Sequence, residues 1–226
     1  VLSGYECMHP FTLENGYKTA TAYENGKSVD SIGGGVCQIS TTLYNASLYA
    51  ELEIVQRQNH SMSVSYVKPS MDAAIAGTYK DLKIKNPYDT PIYIEGYTTS
   101  DKKITFNIYG KETRDKNRTI SFESQMVSET PATTILQEDA GQGIGYKAVS
   151  SKGSSGYVAE LYKIVKVNGV ETDRIKVNKS TYKGTNRVVT YGTAGDPTLS
   201  ENLRAAIAAQ DEALADANIA AAVPAQ

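Results

Sequence analysis

The residue with the clearest chemical potential is Cys37, which follows the glycine triplet Gly33 to Gly35 in GGGVCQISTTLYNA. Glycines permit backbone conformations that other residues resist, and the pattern after them predicts a helix that begins near Val36 or Cys37. A thiol in the first turn of a helix lies beside unpaired N–H groups and the positive end of the helix dipole, which lowers its pKa. We therefore predict a cysteine nucleophile, with Gly34 and Gly35 forming the turn and the nearby backbone N–H groups an oxyanion hole. The alternative is a small buried residue at a tight helix start.

A cysteine nucleophile needs a base, and the chain has two histidines, His9 and His60. His60 lies in RQNHSMSVSYV, between the predicted helix and a predicted strand, and is the favoured base. Asp72 is predicted to orient its imidazole, with a helix or turn cap as the equal alternative. Arg57 is predicted to bind a substrate carboxylate, with a surface salt bridge as the alternative.

The predicted helix sorts its side chains into faces, because successive residues are about 100° apart. The expected core stripe comprises Ile39, Leu43, Ala46 and Ala50. Cys37 lies on a different, hydroxyl-bearing face, which indicates a cleft. The candidate substrate-binding residues on this helix are Gln38, Ser40, Thr41 and Tyr44.

The elements that must position these residues fall within residues 1–110. Alternating segments after the helix predict antiparallel strands, namely SMSVSYV, DLKIKN, TPIYIEGYTT and KITFNIYG. The hydrophilic segment 111–118 predicts a connector to an all-β domain at 119–193. The fold class is therefore α+β, with one main helix against antiparallel strands, followed by an elongated all-β domain and a short C-terminal helix.

Two glycine features organise the second half of the chain. Asn168-Gly169 between two apolar runs predicts a hairpin turn, whereas the glycine-rich stretch 141–156 predicts a twisted loop. Residues 194–226 are alanine-rich and predict a helical or disordered tail that frays toward Pro224. Its predicted start is a capping box formed by Thr198 and Glu201. The predicted apolar stripe of the tail comprises Leu199, Leu203, Ile207 and Leu214.

Composition excludes several classes of protein. The chain has 226 residues and a net charge of −2, which lacks the basic excess of a dedicated nucleic-acid binder. With two cysteines and two histidines and no CxxC or HExxH motif, we expect neither a disulfide scaffold nor a metal site. No apolar run approaches a membrane span. The chain starts at Val1, so we interpret it as a fragment from which a targeting segment or N-terminal membrane anchor is missing.

Residues 1–110 resemble the VanW family. The resemblance rests on the glycine triplet, on C-Q, on S-T-T-L-Y-N-A, on R-x-x-H-S, on D-A and on P-I-Y-I, in that order. The region from about Thr119 to Thr193 is similar to a five-glycine domain, through its glycine-rich centre, YKIVKVNGVETDR and VVTYGT. The first segment of the chain, GYECMHPF, departs from the family pattern, which leaves the role of Cys7 open. Cys7 could pair with Cys37, and a disulfide would prevent Cys37 from acting as a nucleophile.

The VanW resemblance implies an exported protein at the outer face of the membrane or in the cell wall. It implies an L,D-transpeptidase in which Cys37 attacks a peptidoglycan stem peptide, with His60, Arg57 and Asp72 matching the family motif, and it implies no cofactor. Peptidoglycan stem peptides are the expected partners, with glycan as a further one and no nucleic acid. Two alternatives stay open at this point: a wall-binding or adhesion module in which Cys37 is structural, and a cysteine peptidase or amidase that releases its product to water.

Overall fold

The computed structural model of the chain describes residues 1–24 and 27–222. Seventeen elements are named here in chain order: β1 (Leu2–Ser3), α1 (Gly4–Met8), β2 (Thr19–Glu24), β3 (Lys27–Ile32), α2 (Val36–Tyr49), β4 (Glu53–Gln56), β5 (Lys83–Lys85), β6 (Tyr93–Thr98), β7 (Ile104–Tyr109), β8 (Arg118–Thr130), β9 (Thr134–Gly143), β10 (Lys147–Ser154), β11 (Gly156–Val167), β12 (Val170–Tyr182), β13 (Thr185–Ala194), α3 (Pro197–Ala208) and α4 (Glu212–Ala222). The predicted fold class is confirmed: helix and strand are mixed, and most strand pairs are antiparallel. Within these residues, no helix combines the length and the apolar character needed to cross a membrane.

The chain forms two compact units. The first contains Val1–Ser128 and Tyr157–Tyr182, and the second contains Glu129–Gly156 and the chain from Lys183 onward. The β11–β12 hairpin, which turns at Asn168-Gly169 as predicted, thus belongs to the first unit. The sequence boundaries at 111–118 and 193 stay predictions, because the units are defined by packing and not by order along the chain.

The first unit places α2 against several small sheets. One sheet has the order β1-β5-β4, a second has the order β12-β11-β8, and β2–β3 and β6–β7 are antiparallel pairs. The predicted strand SMSVSYV is wrong, since residues 61–67 are irregular. The strand that pairs with β4 in the sheet is β5 and not this segment, which instead forms the irregular chain between His60 and Ser70.

The buried side of α2 differs from the predicted stripe. Leu43 is buried, but Ile39, Ala46 and Ala50 are only half-buried. The helix instead buries the side that carries Val36, Leu43, Tyr44 and Leu48. These side chains pack with residues of the β4–β5 sheet and the β11–β12 hairpin, among them Leu82, Ile84 and Leu161. Apolar periodicity alone misplaced the core because small hydroxyl side chains also face it.

The prediction that the glycine-rich stretch 141–156 forms a loop is wrong, because β9 and β10 run through it. Both strands pair with β13, β10 in the antiparallel and β9 in the parallel direction. Glycine is required for close strand approach here: a Cβ on Gly192 would lie 2.3 Å from the carbonyl oxygen of Gly143. The glycines therefore serve strand packing in the second unit.

The tail forms two helices where one was predicted. Asp196 caps α3 through its carboxylate, which accepts the N–H groups of Thr198 and Leu199, so the predicted Thr198–Glu201 capping box is wrong. Pro197 occupies the first helical turn, where a missing N–H costs nothing. The chain turns between α3 and α4 at Gln210, which has a φ of 57°. The predicted fraying toward Pro224 lies outside the described residues.

Both tail helices pack on the sheet of the second unit. Leu203 and Ile207 of the predicted stripe are buried with Leu136, Val189 and Tyr191. Leu214, in contrast, is 48% exposed, and Ala215 is buried in its place. The break at Gln210 shifts the helical phase, which explains why a single stripe does not continue through both helices.

We expect Leu203→Ala to destabilise the second unit by about 2–5 kcal/mol, because this side chain is 1% exposed and its loss leaves a cavity. Leu214→Ala is the matched control and is expected to change stability by less than about 0.5 kcal/mol. Differential scanning calorimetry of the full chain measures both. Equal effects of the two substitutions would contradict this packing.

Candidate active site

The turn before α2 explains each glycine of the triplet. Gly33 and Gly35 have φ values of 89° and 93°, the left-handed region that favours glycine. A Cβ on Gly34 would lie 2.6 Å from the Cβ of Ala20, so only glycine fits beside β2. Gly35 is the N-cap of α2, which places Cys37 in the first helical turn as the sequence predicts.

Cys37 is half-buried and faces both backbone and side-chain partners. Its sulfur accepts the N–H of Ile75 at 3.5 Å, and as a thiol it can donate to the Ile75 carbonyl at 3.6 Å. Burial alone would raise the pKa of Cys37. The hydrogen bond with His60, the Ile75 N–H and the positive charges of His60 and Lys80 outweigh burial and lower the pKa. The site therefore favours the thiolate.

His60 connects Cys37 to a buried carboxylate. Its Nδ1 lies 2.7 Å from Oδ2 of Asp72, and its backbone N–H donates to the same oxygen at 2.7 Å. Burial would lower the pKa of His60, but the hydrogen bonds to Asp72 and Cys37 raise it to about 9. The two shifts have the directions that stabilise a protonated imidazole next to a thiolate.

Asp72 is 1% exposed and accepts hydrogen bonds on both oxygens. Besides the bonds from His60 on Oδ2, its Oδ1 accepts Nη2 of Arg57 at 2.9 Å and the hydroxyl of Tyr182 at 2.5 Å. Burial would raise the pKa of this carboxyl, but the bonds from His60 and Tyr182 and the charge of Arg57 lower it. The residue is thus a fixed anion that orients the imidazole.

The β11–β12 hairpin holds this network from the other side. Ser180 accepts Nη1 of Arg57 at 2.8 Å, and the Tyr182 hydroxyl accepts the N–H of Ser70 at 2.7 Å. Asn178 donates to the hydroxyl of Tyr44 at 2.8 Å. Sequence reasoning missed these hairpin residues, because they lie more than 100 positions after their partners and carry no local signal.

Several predicted substrate-binding residues are buried in the structure. Ser40 and Thr41 hydrogen-bond the backbone of Ala73, and Tyr44 is 1% exposed below the guanidinium of Arg57. These side chains attach α2 to the segment that carries Asp72. They therefore do not line the open groove that the sequence predicts. Gln38, on the same turn as Cys37, is exposed.

The surroundings of Arg57 also differ from the prediction that it binds a substrate carboxylate at the surface. Its side chain is 5% exposed and is bonded to the carbonyl oxygen and carboxylate of Asp72 as well as to Ser180. A guanidinium held in this way positions the acid and is not presented to an incoming carboxylate.

The remaining histidine and cysteine lie apart from this network. His9 packs against the rings of Tyr5 and Phe11, with centroid distances of 4.8 and 6.1 Å. Cys7 is exposed, and both Cys7 and Cys37 are free thiols. The pairing of Cys7 with Cys37, which the sequence leaves open, is not formed in this structure.

Two further residues, which the sequence analysis does not select, lie beside Cys37 and His60. Lys80 donates to the carbonyl oxygen of Asn59 at 3.1 Å, and its charge helps lower the Cys37 pKa. Tyr66 is 42% exposed, and its ring meets the His60 ring edge-on at 6.4 Å. Tyr66 lies in a Y-V pair that belongs to the family resemblance, but neither its residue type nor that of Lys80 indicates a place beside the thiol.

Family comparison agrees with the sequence resemblance. Residues 1–109 match the family model described as VanW like protein, and residues 122–194 match the model of the G5 domain. The chain contains a VanW domain followed by a G5 domain. Both are cell-wall-associated modules. The β11–β12 hairpin that completes the site around Asp72 lies within the G5 match.

Two curated relatives share the VanW part. "Uncharacterized protein YoaR" of Bacillus subtilis (strain 168) is 43% identical over 83 residues, which is 37% of this chain and 27% of that protein. "Vancomycin B-type resistance protein VanW" of Enterococcus faecalis (strain ATCC 700802 / V583) is 32% identical over 99 residues, which is 41% of this chain and 35% of that protein. The chain thus matches about a third or less of the length of these relatives.

Two solved structures are similar to this chain. "IgA1 Protease G5 domain structure" has a TM-score of 0.27 and 24% identity, covering 37% of this chain and 100% of that chain. "Crystal structure of HP0197-G5" has a TM-score of 0.22 and 20% identity, covering 33% of this chain and 97% of that chain.

We expect Cys37 to react with iodoacetamide faster than a cysteine in an unstructured peptide at mildly acidic pH, because its lowered pKa leaves more thiolate. The ion pair exists above the pKa of Cys37 and below the His60 pKa of about 9, so the rate should rise at lower pH than in the peptide. The measurement uses Cys7→Ser protein, because the exposed Cys7 would also react.

His60→Asn in the same background should move this rise upward by roughly one pH unit or more, since it removes the positive partner of the thiolate. A profile identical to that of the peptide, or one that His60→Asn leaves in place, would show that no such ion pair forms.

Proposed function

We propose that the VanW domain is an L,D-transpeptidase that crosslinks peptidoglycan stem peptides through a Cys37 acyl-enzyme. The observation that carries the proposal is that His60, bonded through Nδ1 to the buried Asp72, is also the group that most lowers the pKa of the Cys37 thiol. This order of thiol, imidazole and carboxylate is the arrangement that activates a cysteine nucleophile on many folds.

The first half-reaction forms a thioester. The Cys37 thiolate adds to the carbonyl carbon of the third stem residue, a diamino acid, and the amide bond to the terminal D-residue breaks. The His60 imidazolium gives its proton to the leaving amine, so the D-amino acid departs neutral at nitrogen and His60 becomes neutral. Backbone N–H groups after Gly34 and Gly35 are the proposed donors to the oxyanion.

The second half-reaction transfers the acyl group. The side-chain amine of a neighbouring stem attacks the thioester carbonyl, and neutral His60 accepts the proton that this amine loses. A new amide bond forms as the carbon–sulfur bond breaks, which regenerates the thiolate and the imidazolium. Asp72 stays ionised throughout and holds the imidazole by its Nδ1.

The buried network changes the role proposed for Arg57. It acts as a positioning residue for Asp72, and the cation near the sulfur that is available to a stem carboxylate is Lys80. Gln38 is the exposed polar side chain of the first helical turn that can contact the stem. Ser40, Thr41 and Tyr44 support α2 from below and do not touch substrate.

The cell-wall association of both domains supports this substrate class and a location at the outer face of the membrane or in the wall. The G5 domain favours a second candidate function, a wall-binding or adhesion module, in which the VanW domain would be inert. A hydrolase that releases tripeptide to water is the third, and product analysis separates the three.

We expect purified protein to convert disaccharide-tetrapeptides into crosslinked dimers, and Cys37→Ala to abolish dimers because the nucleophile is lost. His60→Ala should lower the rate by about 10²-fold or more, and the double variant should be no worse than Cys37→Ala, since the two residues act as a unit. Mass spectrometry of the products measures this, with Cys7→Ser as the control that retains activity.

Dimers made by Cys37→Ala would disprove the nucleophile. Tripeptide monomers alone from the wild type would establish the hydrolase, and unchanged substrate with retained binding to cell walls would establish the binding module.

We expect Arg57→Gln and Tyr182→Phe to lower kcat by about tenfold or more while leaving KM nearly unchanged, because each removes a hydrogen bond that fixes Asp72. The limb of the pH–rate profile that reports the His60 pKa should also move, because the bond to Asp72 sets that pKa. Arg174→Gln, on the same hairpin but bonded to Glu123 and Glu171, is the matched control. If Arg57→Gln raised KM and left kcat and the pH profile intact, Arg57 would bind the substrate carboxylate.

A further inference from the structure

The outer face of the β6–β7 hairpin is an aromatic and polar surface. Its strands pair in register, with Tyr93 opposite Tyr109 and Tyr97 opposite Thr105, and alternate residues point to opposite sides of the pair. On one side, Ile94, Phe106 and Ile108 pack onto the core. The other side, called here the tyrosine face, consists of Tyr93, Glu95, Tyr97, Thr105, Asn107 and Tyr109.

The three tyrosines of this face are open to solvent. Tyr93, Tyr97 and Tyr109 are 64%, 45% and 52% exposed. The rings of Tyr93 and Tyr109 lie side by side, with centroids 6.1 Å apart and planes inclined by 27°. The Tyr93–Tyr109 pair adds to the stability of the hairpin, but three rings that stay exposed on one face also leave a contiguous aromatic surface of the kind that binds ligands.

Polar groups at the centre of the face are already oriented. Oε2 of Glu95 accepts Nδ2 of Asn107 at 3.0 Å and the hydroxyl of Tyr109 at 3.2 Å. The amide oxygen of Asn107 and the second carboxylate oxygen of Glu95 remain as acceptors that neighbouring hydroxyl groups can use. Fixed acceptors between flat rings suit a ligand that has both apolar faces and many hydroxyls.

We propose that the tyrosine face binds an uncharged, β-linked oligosaccharide. The axial C–H groups of a β-linked hexose form a flat apolar face that carries partial positive charge, and an aromatic ring presents a negative face to it. The spacing of Tyr93 and Tyr97, four residues on one strand, is about 13 Å and therefore spans more than one hexose ring. The hydroxyl groups at the rim of the sugars can donate to Glu95 and Asn107.

Charge favours this occupant over other polymers. The six side chains of the face include one carboxylate and no basic residue, so the face does not attract nucleic acid, teichoic acid or an anionic lipid surface. They also include no aliphatic side chain, whereas the buried centre of a protein–protein interface is apolar.

A cavity adjoins the tyrosine face. It has a volume of about 570 Å³, and Asn107 and Tyr109 are among its lining residues, together with Tyr49, Tyr88 and Arg114. A substituent on a sugar ring seated at Tyr109 can enter it, which would add selectivity for substituted hexoses.

This inference is independent of the proposed transpeptidase, because none of the residues of the tyrosine face belongs to the network of Cys37, His60 and Asp72. The test uses the full chain and the β-1,4-linked N-acetylglucosamine tetramer as the probe, with isothermal titration calorimetry as the readout. Cys37→Ala should bind the probe as tightly as the wild type, so a failure of the catalytic proposal leaves this result unchanged.

We expect Tyr93→Ala and Tyr109→Ala to weaken binding at least about tenfold, and Tyr93→Phe to stay close to the wild type, because stacking needs the ring and not the hydroxyl. Tyr79→Ala is the matched control, since Tyr79 is 71% exposed and lies outside the face. Circular dichroism verifies that each variant is folded.

Three outcomes would overturn the proposal. The wild type could fail to bind at millimolar probe, or the alanine variants could bind as well as the wild type, which would place the sugar elsewhere. The protein could also be a dimer that Tyr93→Ala converts to a monomer in analytical ultracentrifugation, which would make a second copy of the chain the occupant.

Discussion

The buried carboxylate of Asp72 is the constraint on which the site depends. An anion that is 1% exposed is stable only if donors surround it, and His60, Arg57 and Tyr182 supply them. These donors come from separate parts of the chain, so satisfying one carboxylate joins the segment after β4 to the β11–β12 hairpin. Once Asp72 is fixed, the orientation of the His60 ring follows, and with it the state of Cys37.

Charge balance explains why such a network tolerates burial. When Cys37 is ionised and His60 is protonated, the positive charges of Arg57 and His60 oppose the negative charges of Asp72 and Cys37, and Lys80 adds a further positive charge near the sulfur. Each half-buried charge then has an opposite neighbour, and the pKa shifts of Cys37 and His60 have opposite signs for the same reason. Removing any one member leaves its partner as an uncompensated charge in a poorly solvated place.

The hairpin of β11 and β12 shows that sequence domains and packing units need not coincide. By family it lies in the G5 match at 122–194, yet it packs with the VanW match and bonds its central residues. Ser70 illustrates the dependence: its backbone has a φ of 65°, and Tyr182 and Asn178 bond its N–H and carbonyl. A VanW region without this hairpin would lack the groups that hold Asp72 and the strained residue before it.

The sequence by itself determined the start of α2, the glycine turn, the hairpin at Asn168-Gly169 and the selection of Cys37, His60 and Asp72, because these features are local in spacing or carried by a family motif. Tertiary structure decided the rest. It placed Arg57, Ser40, Thr41 and Tyr44 below the surface, and it brought Ser180 and Tyr182 to residues more than 100 positions earlier. Helical periodicity reports which faces are apolar, but a small hydroxyl residue fits a tight interface or a cleft equally well. Only the packing of distant segments distinguishes the two, because it decides which hydroxyl groups find hydrogen-bond partners inside the protein.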